Sequence, residues 1–146
     1  MLHLSIFDPA MYELLQKIFK TVIIKNGFAL AGGTSLALQI GHRNSIDFDI
    51  FSPDQFDVKE LEIILSTSNH YIFNYTGNNS RMLFGSINGI KCDFVNEPAT
   101  LLEPFIDSAG VNYYSIKDIA AMKLHTICGR GKKKDFFDIH ALLQLY

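Results

Sequence analysis

The chain has 146 residues, the length of one ordinary domain, and its 48% hydrophobic and 19% charged content excludes a disordered chain. A formal net charge of −2 excludes a global basic field for nucleic acid, so any phosphate recognition has to be local. No apolar run approaches the roughly 18 residues of a membrane span, no basic stretch opens a secretory signal, and Cys92 and Cys128 stand alone, which fits a reducing cytoplasm and gives no zinc site.

Asp8 to Lys25 reads as an opening helix. Asp8 can cap it, Pro9 suits its first position, and Met11, Leu14, Leu15, Ile18, Phe19 and Val22 recur at helical spacing. Phe28 to Ala31 is a short apolar strand, broken by Gly32-Gly33, and Thr34 to Ile40 is a short helix stopped at Gly41. Ile46 to Phe51 alternates apolar and acidic residues with strand period, so Ile46, Phe48 and Ile50 should enter the core. Asp57 and Glu60 make a capping box for a helix through about Leu65.

Tyr71 to Tyr75 reads as a strand. Met82 to Ile87 and Ile90 to Val95 form a hairpin about Asn88-Gly89, with Leu83, Gly85, Ile87, Ile90, Cys92 and Phe94 on one apolar face. The stretch from Asn96 to Asn112 gives no clear pattern. Ser115 can cap a helix from Ile116 to about Cys128, and a glycine and lysine loop leads to a closing helix from about Lys134 to Tyr146, with Phe136 and Phe137 read as core. Together these elements predict a single α+β (mixed α/β) domain over residues 1–146, a mixed sheet with flanking helices.

The chemistry concentrates in Gly32-Gly33, Asp47-x-Asp49 and Asp93. Two residues apart on a strand, Asp47 and Asp49 project from one face, their Cα atoms about 6–7 Å apart. Such a pair repels itself unless a cation intervenes, and Mg²⁺ is the natural candidate, being hard and content to share its shell with phosphates. The hairpin register puts Asp93 on the face opposite the apolar one. If its strand neighbours that of Asp47 and Asp49, three carboxylates meet, and one or two ions there suit a phosphoryl displacement, with Asp93 activating the acceptor hydroxyl. The glycine turn before a helix lets backbone N–H groups approach a phosphate, with Thr34 and Ser35 as further donors. Each feature alone has an ordinary reading, a turn, an edge strand or a solvated acid; their order in one chain is what points to a site.

The stretch Ala31 to Phe51 resembles the first motif of the AbiEii/AbiGii-type nucleotidyltransferases of the DNA polymerase β-like superfamily. Ala121 to His125 and Gly129 to Asp138 resemble that family's closing motif, a helix lysine followed by a basic residue, Asp, two residues and Asp. The resemblance implies a nucleotidyltransferase fold that transfers a nucleoside monophosphate from a nucleoside triphosphate to RNA (tRNA among the candidates) or to protein. It implies Gly32, Gly33, Thr34, Ser35, Arg43, Ser45 and Lys123 at the nucleotide, and Asp47, Asp49 and Asp93 as ligands of Mg²⁺ or Mn²⁺. Asp135 would give catalytic support and Asp138 would lie nearby. It also implies a cytoplasmic toxin of a toxin–antitoxin or abortive-infection system, a cognate antitoxin and no membrane partner.

By sequence alone, Lys123 is a lysine on a mixed helix face, and Arg130, Lys132, Lys133 and Lys134 form the one dense basic run, a solvated loop or a phosphate contact. Asp135 and Asp138 share a helix face in the first turn, where acids suit the helix dipole. His42 is read as orienting its loop. The alternatives are a non-catalytic nucleotide- or antitoxin-binding module of the same fold, motivated by Gly33 where the superfamily often has Ser and by the stop soon after the closing motif, and a metal-dependent phosphodiesterase.

Overall fold

The computed structural model describes residues 2–129 and 131–145, with backbone alone at 23–26. After a short 3-10 turn at Leu4–Ile6, the elements follow in the order α1 (Pro9–Asn26), β1 (Ala29–Ala31), α2 (Gly32–Ile40), β2 (Phe48–Ser52), α3 (Val58–Ser66), β3 (Phe73–Asn78), β4 (Met82–Ile87), β5 (Ile90–Asn96), β6 (Ile106–Ser108), β7 (Val111–Tyr113), α4 (Ile116–Gly129) and α5 (Lys133–Leu145). The strands make one seven-stranded sheet in the order β3-β4-β5-β2-β1-β7-β6. It is mixed: β2 runs parallel to β5 and β1 parallel to β7, while the other neighbours are antiparallel.

Local chemistry sets the boundaries. Asp8 accepts the Met11 N–H at 3.0 Å ahead of Pro9, and α1 ends at Gly27 in the left-handed region. The Asp57 carboxylate caps α3 through the N–H groups of Lys59 and Glu60. Ser115 accepts the Asp118 N–H at 3.1 Å and donates to the Asp118 carboxylate at 2.8 Å, closing the first turn of α4 reciprocally.

Strand alternation then divides the sheet into two faces. Leu30, Phe48, Ile50, Leu83, Ile87, Cys92, Phe94 and Tyr113 pack on Leu14, Leu15, Ile18, Phe19 and Val22 of α1 and on Val58, Leu61 and Leu65 of α3. A smaller cluster on the second face joins Ala29, Ala31, Leu36, Tyr114, Ile119 and Leu142, and so draws α2, α4 and α5 over β1 and β2. The hairpin register is the expected one, with Ile87 opposite Ile90, Gly85 opposite Cys92 and Leu83 opposite Phe94.

Several expectations are corrected. Ile46 is 68% exposed rather than core, because β2 starts only at Phe48 and hydrogen bonds from Thr34 hold the preceding segment as a loop. Phe136 and Phe137 are 55% and 56% exposed, because α5 turns Asp135, Asp138 and Leu142 inward instead. The strand expected at Tyr71 to Tyr75 is shifted to Phe73–Asn78, with a bulge between Tyr75 and Gly77, while Tyr71 packs into the core and shares a 2.6 Å hydrogen bond with Thr21. The unreadable stretch holds the β6–β7 hairpin, turned by Ala109 and Gly110, both at positive φ; alanine rarely takes that conformation, so the turn leaves little trace in the sequence. Arg130 and Tyr146 lie outside the described residues.

Candidate active site

The two glycines that open α2 directly after β1 each make room for a charged side chain. Gly32 has φ +66°, and a Cβ there would collide with the Asp49 carboxylate; a Cβ at Gly33 would collide with the Arg43 guanidinium. Among the described residues no N-cap side chain bonds the first turn of α2, which leaves the positive end of its dipole beside Gly32 and Gly33. Thr34 is committed to structure: its hydroxyl donates to the Asp47 carbonyl and is bonded to Ser45 Oγ at 2.5 Å, which fixes the loop that delivers Asp47.

On the same side of the sheet, Asp49 of β2 sits directly beside Asp93 of β5 in the parallel ladder, about 4.8 Å apart at their Cα atoms. Burial, then Asp93 and Asp47, push the Asp49 pKa from 3.8 up to about 6, against the pull of Lys134 and Lys123. Burial likewise raises the Asp93 pKa. Its Oδ1 is buried with no hydrogen-bond partner among the described residues, and Oδ2 has the Lys91 ammonium at 3.7 Å. Asp47 has Lys134 Nζ at 3.8 Å from Oδ2. Among the described residues no three acidic, His or Cys side chains stand close enough to cage an ion by themselves. The carboxylates are an open set, short of positive charge.

Behind them lies a buried ion cluster. Asp138 is fully buried and accepts from His42 Nε2 at 2.5 Å, from Arg43 Nε at 2.7 Å, from Arg43 Nη2 at 3.0 Å and from Lys123 Nζ at 2.8 Å. Burial alone would raise its pKa, but these donors reverse the effect and hold its carboxyl well below the usual range. Lys123, 7% exposed, also donates to Asp135 Oδ1 at 2.8 Å, and Asp135 accepts the Lys132 N–H at 3.1 Å. The cluster ties α4 and α5 to the loop after α2.

Most of the expected site residues converge. Gly33, Thr34, Arg43, Ser45, Asp47, Asp49, Lys123 and Asp135 line one narrow cavity of about 40 Å³, with Gly32 on an adjoining cavity of about 120 Å³. Asp93 faces a separate, larger groove on the other side of Asp49. Ser35 is turned away: it is fully buried and accepts from Gln39 Nε2 at 3.1 Å. Lys123 lines the cavity with its ammonium held by the Asp135 and Asp138 carboxylates. The cation poised at the cavity is Lys134, whose side chain is 48% exposed. The basic run contained it, but only its place beside Asp135 in the first turn of α5 singles it out. Asp138 as the hub had no stronger signal than its spacing from Asp135.

The family described as nucleotidyl transferase AbiEii toxin, type IV toxin–antitoxin system, matches residues 13–74 and 85–146. An uncharacterized protein of Aquifex aeolicus is 35% identical over 136 residues, which are 90% of this chain and 65% of that protein. Among solved structures, the Megavirus polyadenylate synthase superposes with a TM-score of 0.59 at 22% identity, over 94% of this chain and 32% of its own. A Helicobacter pylori protein assigned as a nucleotidyltransferase gives a TM-score of 0.62 at 19% identity, over 96% of this chain and 71% of its own. A Thermotoga maritima protein of the same assignment gives 0.56 at 22%, over 83% and 88%. The sheet and its helices are thus a nucleotidyltransferase fold, and the chain spans about two thirds of its Aquifex relative.

Proposed function

Since the chain belongs to the AbiEii nucleotidyl transferase family, we propose that it transfers a nucleoside monophosphate from a nucleoside triphosphate to a hydroxyl of an RNA or protein acceptor, as the toxin partner of a cognate antitoxin in the cytoplasm. The observation that carries this reading is the pairing of Asp49 with Asp93 next to the uncapped start of α2. Among the described residues, no helix is long and apolar enough to cross a membrane.

The donor set fits a hard divalent cation. Asp93 Oδ1 is buried with no hydrogen-bond partner among the described residues, and burial and then the Asp93 carboxylate work against the charge of Asp49. Asp47, Asp49 and Asp93 would hold Mg²⁺ or Mn²⁺, with substrate phosphate oxygens completing the shell. The bound ion supplies charge neutralisation at the reacting phosphate.

The protein's own groups divide the remaining work. The N–H groups of the first turn of α2 bind the phosphate chain, and Lys134 moves from Asp47 to the β and γ oxygens. A cavity of about 40 Å³ admits an ion or a water but no phosphate chain, so a bound triphosphate would extend beyond it. Asp138 fixes Arg43, and through it the glycine turn, while Asp135 and Asp138 hold Lys123 as the pin between α4 and α5. The acceptor oxygen attacks the α-phosphorus, the bond from the α-phosphorus to the bridging oxygen breaks, the hydroxyl proton passes to Asp93, and pyrophosphate leaves toward Lys134. Positioning and preorganised charge account for the rate.

The test is to incubate the purified protein with a divalent cation, each nucleoside triphosphate in turn labelled at the α-phosphorus, and total cellular RNA and protein. The control is the Asp47→Ala/Asp49→Ala variant. Label on RNA or protein with the wild type alone supports the reading. Triphosphate binding without transfer would instead favour a non-catalytic module, and hydrolysis without an acceptor would favour a phosphodiesterase.

A further inference from the structure

The sheet ends in two unlike edges. β6 is three residues long and carries Asp107, the short and charged form in which folded proteins commonly leave an edge. β3 is six residues long. Residues 71–80 contain no charged side chain and no proline, and Ile72, Phe73, Tyr75 and Thr76 favour extended backbone. Ile72 and Tyr75 are 69% and 50% exposed. The bulge between Tyr75 and Gly77 confines the flat part of this edge to the first half of the strand.

Hydrogen bonds fix which groups that half offers. Ile72 N–H donates to the Asn88 side-chain oxygen at 2.8 Å, and Ile72 C=O accepts the Asn88 N–H at 3.0 Å. Ile72 thus turns its backbone toward β4, and antiparallel alternation turns the N–H and C=O groups of Phe73 and Tyr75 outward. β3 is the last strand of the sheet, so no further strand meets them among the described residues. Phe73 packs against the core under α1 and α3, and Thr76 lines the groove on the opposite face. Phe73 and Tyr75 therefore share the first face, and Asn74 points to the second.

This edge is complementary to itself. A second β3 laid antiparallel about a two-fold axis at Asn74 lets Phe73 exchange both backbone hydrogen bonds with the partner's Tyr75, and the reverse pair does the same. The two pairs are aromatic cross-strand contacts on the first face. On the second face Asn74 meets the partner's Asn74, and Ile72 meets the partner's Thr76. No like charges stand opposite each other.

We propose that the outer edge of β3 is a self-association site, where a second copy of this chain joins two seven-stranded sheets into one. An extended peptide could use the same backbone groups, but it has to be ordered on binding, whereas the second copy's edge is already held by β4. Asp49 lies on β2, three strands from β3, so the pairing leaves the candidate active site open and does not depend on the transferase reading.

The test uses the full chain. Sedimentation velocity over a range of concentrations should show a monomer–dimer equilibrium for the wild type. Asn74→Lys and Asn74→Asp each set like charges across the axis, so each alone should weaken dimerisation about tenfold or more, and an equimolar mixture should restore it as a heterodimer. Asn74 is exposed, and thermal melts check that both variants fold. In a Cys128→Ser background, which removes the exposed native thiol, Asn74→Cys should form an intermolecular disulfide on mild oxidation. Residues facing each other in a non-hydrogen-bonded pair have Cα atoms about 4.5 Å apart, within reach of a disulfide. Asn78→Cys, beyond the bulge, should not cross-link. A dimer indifferent to either charge at Asn74, or one cross-linked equally through Asn78→Cys, would overturn the assignment. So would a wild type that stays monomeric at every concentration, and binding of a synthetic peptide of residues 71–77 to that monomer would reassign the edge to a peptide partner.

Discussion

Replacing Asp49 by Asn should stabilise the metal-free protein while abolishing transfer. Moving a carboxyl from 3.8 to about 6 disfavours its anion by about 3 kcal/mol at neutral pH relative to the unfolded chain. The side chain keeps partial solvent access, which reduces the expected gain to about 1–2 kcal/mol. Because the folded pKa is raised, the stabilising effect of protonated Asp49 is complete below 3.8 and is lost as pH rises through about 6. Asn has no proton to lose, so the variant should gain on the wild type above about pH 6 and match it near pH 4. Urea denaturation of both proteins in the presence of a chelator, near neutrality and near pH 4, measures the difference directly. A variant no more stable than the wild type near neutrality, or one with the same gain at both pH values, would refute the claim that crowded, buried carboxylates strain this site.

Three other expectations follow from the same geometry. Divalent cation should raise the melting temperature of the wild type, by the equivalent of about 2.7 kcal/mol at a hundred times its dissociation constant, and leave that of Asp47→Ala/Asp49→Ala unmoved; a calorimetric titration of both shows it. Asp138→Ala should cost about 3–5 kcal/mol, because it strips a shared anion from Arg43 and Lys123. Since the Asp138 carboxyl is held below its usual range, the stability gap should be full above about pH 4 and close as pH falls through the folded pKa, as paired denaturation curves in acid will report. Gly33→Ala should displace the Arg43 guanidinium, costing about 1–3 kcal/mol and lowering triphosphate affinity severalfold in a direct binding assay.

Much of the fold was legible because its signals are local. Asp8 with Pro9, Asp57, and Ser115 mark helix starts through hydrogen bonds within one turn. Asn88-Gly89 fixes the register that turns Asp93 away from the core. The rest depends on long-range partners. Nothing near Ile46 reveals that Thr34 will hold its segment off the sheet. Phe136 and Phe137 read as core because apolar residues usually are, yet hydrogen bonds with Lys123, His42 and Arg43 claim the inward face of α5 for Asp135 and Asp138. The glycine pair illustrates both cases: its place before a helix was visible, but its close approach to Asp49 and Arg43 was not.

The Asp138 cluster also bears on when the site comes into being. Its hydrogen bonds to Arg43 and His42 span 95 and 96 residues of chain, so the glycine turn and the loop behind it are synthesised long before the anion that fixes them. A ribosome-bound chain that has not reached Asp138 can form α1 and the β4–β5 hairpin from nearby contacts, but its Arg43 lacks the carboxylate that holds it beside the glycine turn. Closing contacts this distant in sequence is slow relative to helix and hairpin formation. A chain that stops short of Asp138 therefore already holds Asp47, Asp49 and Asp93 but lacks the anion that fixes Arg43 and His42 behind them.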